Sequence, residues 1–375
     1  MNGRTFMVGA LLAGAPIVQG ACLAQESPAD TRWGITAVEG LEIGHYTLDA
    51  RATGCTVVIA RNGAVGGVDV RGGSPGTREI ALLDPVSRVN QVHAVVLSGG
   101  SAFGLSTADG VMRYLDDQNV GLLVSGGRKV VPVVVAAILY DLGIEGEEKI
   151  RPGPDCGYAA ASGASTTSPE EGSVGAGAGA TVGKMQGQDR SMKGGFGTAS
   201  ITLESGLAVA AAVAVNAVGD IVDPATGRVI AGARGADGTL LDMRRVLRGE
   251  VPGTGDDDAA DSATQPGTNT TLGIVSTNAT LTKAEATKVA QMAQDGLART
   301  IYPAHTPGDG DTVFSLATGA WEGEANVFVI GALAADVMAE AILRAIRMAE
   351  GLPGIPAASE LGNRPLSMRD SRLNY

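Results

Sequence analysis

The stretch Gly267-Thr268-Asn269-Thr270-Thr271-Leu272-Gly273-Ile274-Val275 runs from a polar junction straight into a β-branched segment. A second polar island follows it, His305-Thr306-Pro307-Gly308-Asp309-Gly310-Asp311-Thr312. A hydroxyl is a poor nucleophile unless a base stands beside it, and a threonine that heads a chain carries that base as its own α-amine. The reference pKa of that amine, about 7.7–8.0, lies near the working range. The chemistry expected at Asn269-Thr270 is attack by the Thr270 hydroxyl on the Asn269 carbonyl, an N-to-O acyl shift and hydrolysis of the ester. The fragments would be 25–269 and 270–375. Asp309 and Asp311 flank Gly310, and two such carboxylates repel unless a cation lies between them. A free Thr270 ammonium or Lys184 would fill that role. Set against this, Asn269-Thr270-Thr271 is also an ordinary strand start, and Asp309-Gly310-Asp311 an ordinary Asx-turn loop. A calcium loop would need further oxygen ligands and a later bidentate Glu.

Other chemistry-bearing stretches compete poorly. Ser98-Gly99-Gly100-Ser101-Ala102-Phe103-Gly104 lies between strand and helix patterns but misses G-x-S-x-G by one position, and no GK[ST] is present. Gly175-Ala176-Gly177-Ala178-Gly179-Ala180 is part of a dinucleotide fingerprint without the Val/Ile-rich strand that must precede it. His45, His93 and His305 are too scattered for a metal set, and His93 within an apolar run reads as a core residue.

The elements that must position the junction follow from periodicity. Strand patterns occupy Gly34 to Ala60, Gly66 to Gly73, Val92 to Leu97, Thr271 to Ser276 and Thr312 to Ala317. Thr198 to Leu203 and Leu207 to Val215 read as a hairpin leading into Asn216. Helical spacing is read at Leu105 to Asp116, at Val131 to Leu142 with Pro132 in its first turn, and at Tyr158 to Thr167. Thr282 and Glu285 form a capping-box pair before another helix, and Asn326 to Glu350 is long and largely apolar. Residues 232–268, with Asp256, Asp257, Asp258 and Asp261, lack apolar periodicity and read as a mobile linker. The tail after Gly351 is expected to reach a subunit neighbour.

The 375 residues suffice for one large domain, with an aliphatic core implied by 44% hydrophobic but only 3% aromatic residues. A net charge of −12 argues against nucleic acid or an anionic membrane surface as partner. Arg4, the apolar Phe6 to Val18 and Cys22-Leu23-Ala24 read as an export signal over residues 1–24, too short for a membrane span. Gln19 disfavours a lipoprotein site at Cys22. Cys55 and Cys156 are taken as isolated buried thiols, although spacing alone does not exclude a pair.

Several stretches, in this order, resemble the β-aminopeptidase / L-aminopeptidase–D-amidase/esterase family. They are Leu97 to Leu105, Val174-Gly175-Ala176-Gly177 with Gly183-Lys184, Val215-Asn216-Ala217-Val218-Gly219-Asp220, Asn269-Thr270-Thr271-Leu272, Asp295-Gly296-Leu297-Ala298-Arg299 and Asp309-Gly310-Asp311-Thr312. Thr270 after Asn269, with the paired Asp309 and Asp311, is most similar to the nylon-oligomer endo-hydrolase branch. The aminopeptidase branch generally carries Ser as nucleophile, with Ser and Glu as its partners. The resemblance implies a four-layer αββα sandwich like that of N-terminal nucleophile hydrolases but differently connected, self-cleavage, and a homotetramer or larger assembly. It implies Thr270 as nucleophile and base, Asn216 as oxyanion donor, Lys184 within the pocket, and Asp309 and Asp311 orienting the Thr270 ammonium. Tyr140 and Phe103 would line the substrate pocket. The expectation is an exported, periplasmic, self-processing hydrolase of small peptides or linear amide oligomers, needing no metal or cofactor. The alternatives are an exo-acting aminopeptidase on β- or D-configured N-termini and a non-catalytic binding protein on the same scaffold.

Overall fold

In the strand Ala208–Asn216 the even-numbered alanines and the odd-numbered valines and alanine enter two different hydrophobic cores. Side chains alternate across a strand, so a strand apolar at every position is covered on both faces. The computed structural model that shows this describes residues 1, 32–147, 149–252 and 267–361. The expected export signal and Asp256, Asp257, Asp258 and Asp261 lie outside the described residues.

Nine strands form the main sheet system. They are β1 (Glu42–Thr47), β2 (Gly54–Val70), β3 (Thr77–Arg78), β4 (Val92–Ser98), β5 (Val134–Ile138), β6 (Gly195–Thr202), β7 (Ala208–Asn216), β8 (Thr270–Thr277) and β9 (Thr312–Ala317). The order is β6-β7-β8-β9-β2-β4-β5-β3, with β1 pairing along β2. The 17-residue β2 serves two sheets: its Val65–Val70 half pairs with β9, while Gly54–Ile59 pairs with β1 and Cys55–Ile59 with β4. Most neighbours are antiparallel, whereas β8–β9 and β4–β5 are parallel.

Three cores define four layers. Val58, Val95, Val135, Ala212, Ile274 and Phe314 meet between the two sheets. On the outer face of the β7–β8 sheet lie α4 (Lys283–Thr300) and α5 (Val327–Arg347). Over Val57, Ala94, Val96 and Ala136 lie α1 (Thr107–Asp117) and α2 (Pro154–Ser162). The fold is the αββα sandwich that the family resemblance implied, and the described residues from Arg32 onward make one compact unit. The connection from β8 to β9 runs through α4, which opens with a complete Thr282–Glu285 capping box.

Several expectations need correction. Val131 to Leu142 is not a helix: it contains β5, which is buried at every position. A short apolar run buried on both faces has no period that separates strand from helix, and Pro132 precedes this strand. Tyr140 therefore follows a strand. Gly66 to Gly73 is not a separate strand, because its first half continues β2. The helix expected from Leu105 starts as a 3-10 segment, Ser101–Ser106, before α1, and that expected at Tyr158 to Thr167 begins at Pro154 and ends at Ser162. Residues 232–252 are not featureless: α3 (Met243–Leu247) is held by Asp220, whose carboxylate accepts from the amides of Ala233 (2.9 Å) and Met243 (2.8 Å). Cys55 and Cys156 are bonded as a disulfide between β2 and α2, with Cα atoms 6.4 Å apart. Chain spacing carries no information about that proximity. The described part of the tail, to Leu361, is tethered through Pro356, which accepts from the Lys193 amide at 2.9 Å, and Gly354, which accepts from Arg234 at 3.1 Å.

Candidate active site

Thr270 is the first residue of β8, a strand inside the sheet, and stands opposite Asn216, the last residue of β7. On the other flank, β9 begins only at Thr312, paired with Leu272, so the loop before it wraps the start of β8. This geometry gathers residues far apart in sequence around one peptide bond. Asn216, Lys184, Asn269, Thr270, Asp309 and Asp311 are all buried.

The Asn269–Thr270 peptide is intact in this structure. The Thr270 hydroxyl donates to the carbonyl oxygen of Asn269 in a very short contact. The same oxygen accepts the backbone N–H of Gly310 at 2.8 Å. The nucleophile thus lies against the carbonyl it would attack, and a fixed donor already points at the oxygen on which negative charge would develop. Gly310 can approach so closely because it lacks a side chain: a Cβ there would lie 2.6 Å from the Thr270 Oγ1.

The acidic loop is pinned from several sides. Asp309 Oδ2 accepts from the amide (2.9 Å) and hydroxyl (2.6 Å) of Thr306. Asp311 Oδ1 accepts from the Thr271 amide at 2.7 Å. Asp311 Oδ2 accepts from the His305 amide at 3.0 Å and faces His305 Nδ1 at 2.9 Å. The end of β2 straps the loop: the Arg71 and Gly72 amides donate to Asp311 O at 3.0 and 3.3 Å, and the Ser74 amide to Asp309 O at 2.8 Å. Gly72 is required there, since a Cβ would meet Asp309 O at 2.3 Å.

Lys184 approaches from the opposite side. The amides of Gly183 and Lys184 donate to Gly219 O and Val218 O at 3.0 and 2.9 Å, which ties this turn to the end of β7. Its ammonium donates to Asn216 O (3.0 Å), Asn216 Oδ1 (2.8 Å) and Thr268 O (3.3 Å). Burial lowers its pKa to about 7, with Asp309 and then Asp141 acting in the opposite direction. Asp309 is raised to about 6, first by burial and then by the neighbouring Asp311 charge. The site therefore holds an acid and a base that both titrate close to neutrality.

The Asn216 Nδ2 donates to Tyr140 O at 2.9 Å, so it is the carbonyl of Tyr140, with its ring half-buried, that meets the cluster. Asp141 then accepts from the Gly100 amide at 2.9 Å and from the Thr53 hydroxyl, which anchors the Ser98–Gly104 loop. Phe103 on that loop is 52% exposed, with the Arg151 guanidinium 3.4 Å above its ring centre. Among the described residues no hydrogen bond joins Phe103 to Thr270. His93 is a core residue, its Nδ1 accepting from the Val133 amide at 3.3 Å. No group of three or more His, Cys, Asp or Glu among the described residues is arranged to hold a metal ion. Gly310 and His305 carry contacts that residue types alone do not reveal: a backbone donor has no signature, and a lone His within a polar island does not announce the carboxylate it meets.

The sequence profile of peptidase family S58 matches residues 34–358, which takes in every element described above. The chain belongs to peptidase family S58. As an S58 member it is a hydrolase of C–N bonds in peptides or amides. The chain is 45% identical over 350 residues to an uncharacterized aminopeptidase of Mycobacterium leprae, covering 86% of this chain and 92% of that protein. It is 30% identical over 322 residues to the 6-aminohexanoate-oligomer endohydrolase of Paenarthrobacter ureafaciens, covering 82% and 84%. The L-aminopeptidase D-Ala-esterase/amidase of Ochrobactrum anthropi, described as a variant of the Ntn hydrolase fold, superposes with a TM-score of 0.62 at 17% identity, covering 89% and 95%. That likeness is one of fold.

Proposed function

We propose that the chain cleaves itself between Asn269 and Thr270 and that the freed Thr270 then hydrolyses amide bonds through an acyl-enzyme. In the first stage the Thr270 Oγ1 adds to the Asn269 carbonyl carbon while the Gly310 N–H stabilises the oxyanion. The C–N bond breaks, an ester forms on Oγ1, and the Thr270 nitrogen takes up a proton to become an amine. Water hydrolyses the ester, leaving a carboxylate at Asn269. In the second stage the Thr270 amine is the base for its own hydroxyl. Asp309 and Asp311 orient the ammonium form, Asn216 donates to the substrate oxyanion, and Lys184 neutralises charge in the pocket. The observation that carries this reading is the Thr270 hydroxyl lying against a carbonyl oxygen that already has a backbone donor.

Before cleavage, Thr268-Asn269 occupies the acyl side of the site, with Lys184 on the carbonyl one unit upstream of the scissile bond. That favours oligopeptides or linear amide oligomers, which offer such a carbonyl, over substrates with a free amine there. An exo-acting aminopeptidase is the competing reading, and loss of activity on blocking the substrate amine would establish it. Export to the periplasm is proposed as well, supported by the Cys55–Cys156 disulfide, a bond that persists in oxidising compartments. Exposed Leu123, Val131 and Phe328 offer apolar surface for the proposed homotetramer.

Intact mass and terminal sequencing test the proposal. Active protein should yield a fragment beginning Thr-Thr-Leu-Gly. Thr270→Ala should remain one inactive chain, and Thr270→Ser should still process. A Thr270→Ala protein that cleaves normally would remove Thr270 from the mechanism.

A further inference from the structure

His305 lies outside every role assigned so far, yet its amide and its ring converge on a single carboxylate oxygen. Asp311 Oδ2 lies 3.0 Å from the His305 backbone N and 2.9 Å from its Nδ1. His305 has φ 57, in the left-handed region that non-glycine residues seldom adopt. The ring is 17% exposed, and its Nε2 is buried without a hydrogen-bond partner. Among the described residues the imidazole thus has one polar engagement, through Nδ1, and that one is with Asp311.

The other oxygen of Asp311 accepts the Thr271 amide at 2.7 Å, one residue after the nucleophile. With Oδ2 held by His305, the Asp311 carboxylate has a fixed rotation, and Oδ1 is directed at the first turn of backbone in β8. Held there, Thr271 N fixes where Thr270 stands relative to Asn269 O and Gly310 N. Without the Nδ1 donor, Oδ2 would keep only the His305 amide and the carboxylate could swing.

We infer that His305 is a positioning residue, whose ring N–H orients Asp311 and through it the backbone that aims Thr270. This rests on the proposed function, and it adds that one histidine conditions both self-cleavage and turnover. The neutral tautomer that fits carries its proton on Nδ1 and leaves Nε2 bare.

The test uses the full-length chain with His305→Gly, His305→Asn and His305→Asp. Glycine accepts the left-handed backbone but removes the ring donor. Asparagine tolerates the same φ and returns an N–H donor at about the position of Nδ1, while aspartate is isosteric with asparagine and has no donor. Cleavage is followed by the Thr270-headed fragment on denaturing gels, and turnover by kcat and KM on a linear 6-aminohexanoate oligomer and an amino-acid p-nitroanilide. His305→Gly should slow cleavage and lower kcat by about tenfold or more, with KM within about twofold, as expected for loss of a hydrogen bond to a charged group. His305→Asn should recover to within about threefold of wild type, and His305→Asp should not. In the double variant with Asp311→Asn, His305→Gly should add no further loss, because both changes break one linkage. A His305→Gly protein that cleaves and turns over like wild type would overturn the inference. So would equal behaviour of the Asn and Asp variants, or additive losses in the double variant. If His305→Gly does not fold, the Asn–Asp contrast decides alone. Failure of wild type to cleave at Thr270 would instead sink the proposed function.

Discussion

At the scale of single residues, the site depends on how closely atoms can approach Thr270. Gly310→Ala should slow self-cleavage at least tenfold, because the new Cβ would lie 2.6 Å from Oγ1 and push either the nucleophile or the Gly310 N–H out of line. Timed sampling after expression, read by intact mass, checks this, and the circular dichroism spectrum should be unchanged. The charges set a pH limb. Asp309 is raised to about 6, so it is protonated below that pH and carries its charge above it. If its charge orients the Thr270 ammonium, that ammonium in turn lowers the Asp309 value in processed enzyme, so kcat should fall as pH drops below about 6, and Asp309→Asn should flatten that limb at a lower plateau. The same raised value works on folding in the opposite direction. Its contribution to stability is full below the ordinary carboxyl value of 3.8 and is lost as pH rises through about 6.

At the scale of elements, register does the assembling. Asn216 and Thr270 are a cross-strand pair at the end of β7 and the start of β8, and a one-residue slip of β8 would send the Thr270 side chain to the opposite face of the sheet. The parallel β8–β9 pair needs a long crossover, supplied by α4. Its capping box satisfies amides at the helix start, with Thr282 Oγ1 accepting from the Glu285 amide at 3.3 Å and the Glu285 carboxylate from the Thr282 amide at 2.8 Å. Thr282→Ala should therefore lower unfolding free energy by about 0.5–2 kcal/mol and leave cleavage unaltered. Urea titration alongside gel analysis would check both halves. A processing defect at equal folded fraction would mean that α4 does more than support.

At the scale of the molecule, the long β2 joins the two sheets, and the Cys55–Cys156 disulfide ties it to the α1–α2 layer. The bond closes a loop with a sequence separation of 101 residues. A loop of that length constrains the unfolded chain by roughly 2–5 kcal/mol. Replacing both cysteines with alanine should lower stability by about that amount, while kcat per folded, processed molecule stays within about twofold. Guanidinium unfolding with active-site titration by fragment mass measures the two separately. A proportional fall in kcat would show that the helix layer reaches the site after all.

Sequence by itself determined the strands that carry the site. The β-branched run at Thr271 to Ser276, the continuous apolar run from Leu207 to Val215 and the Thr282–Glu285 cap are local patterns, and local patterns follow from backbone sterics and hydrogen bonding. The paired carboxylates Asp309 and Asp311 stand out in the chain itself, the family resemblance points to Asn216 and Lys184, and the fold brings all four around Asn269–Thr270. Only tertiary structure decided the rest. Val131 to Leu142 became a strand because a second sheet covers its other face, and Cys55 met Cys156 because α2 packs on β2. The Gly310 amide and the His305 ring became part of the site because β9 starts late enough for its preceding loop to fold against β8. Such distances are set by packing between remote segments, and no single stretch of chain encodes them.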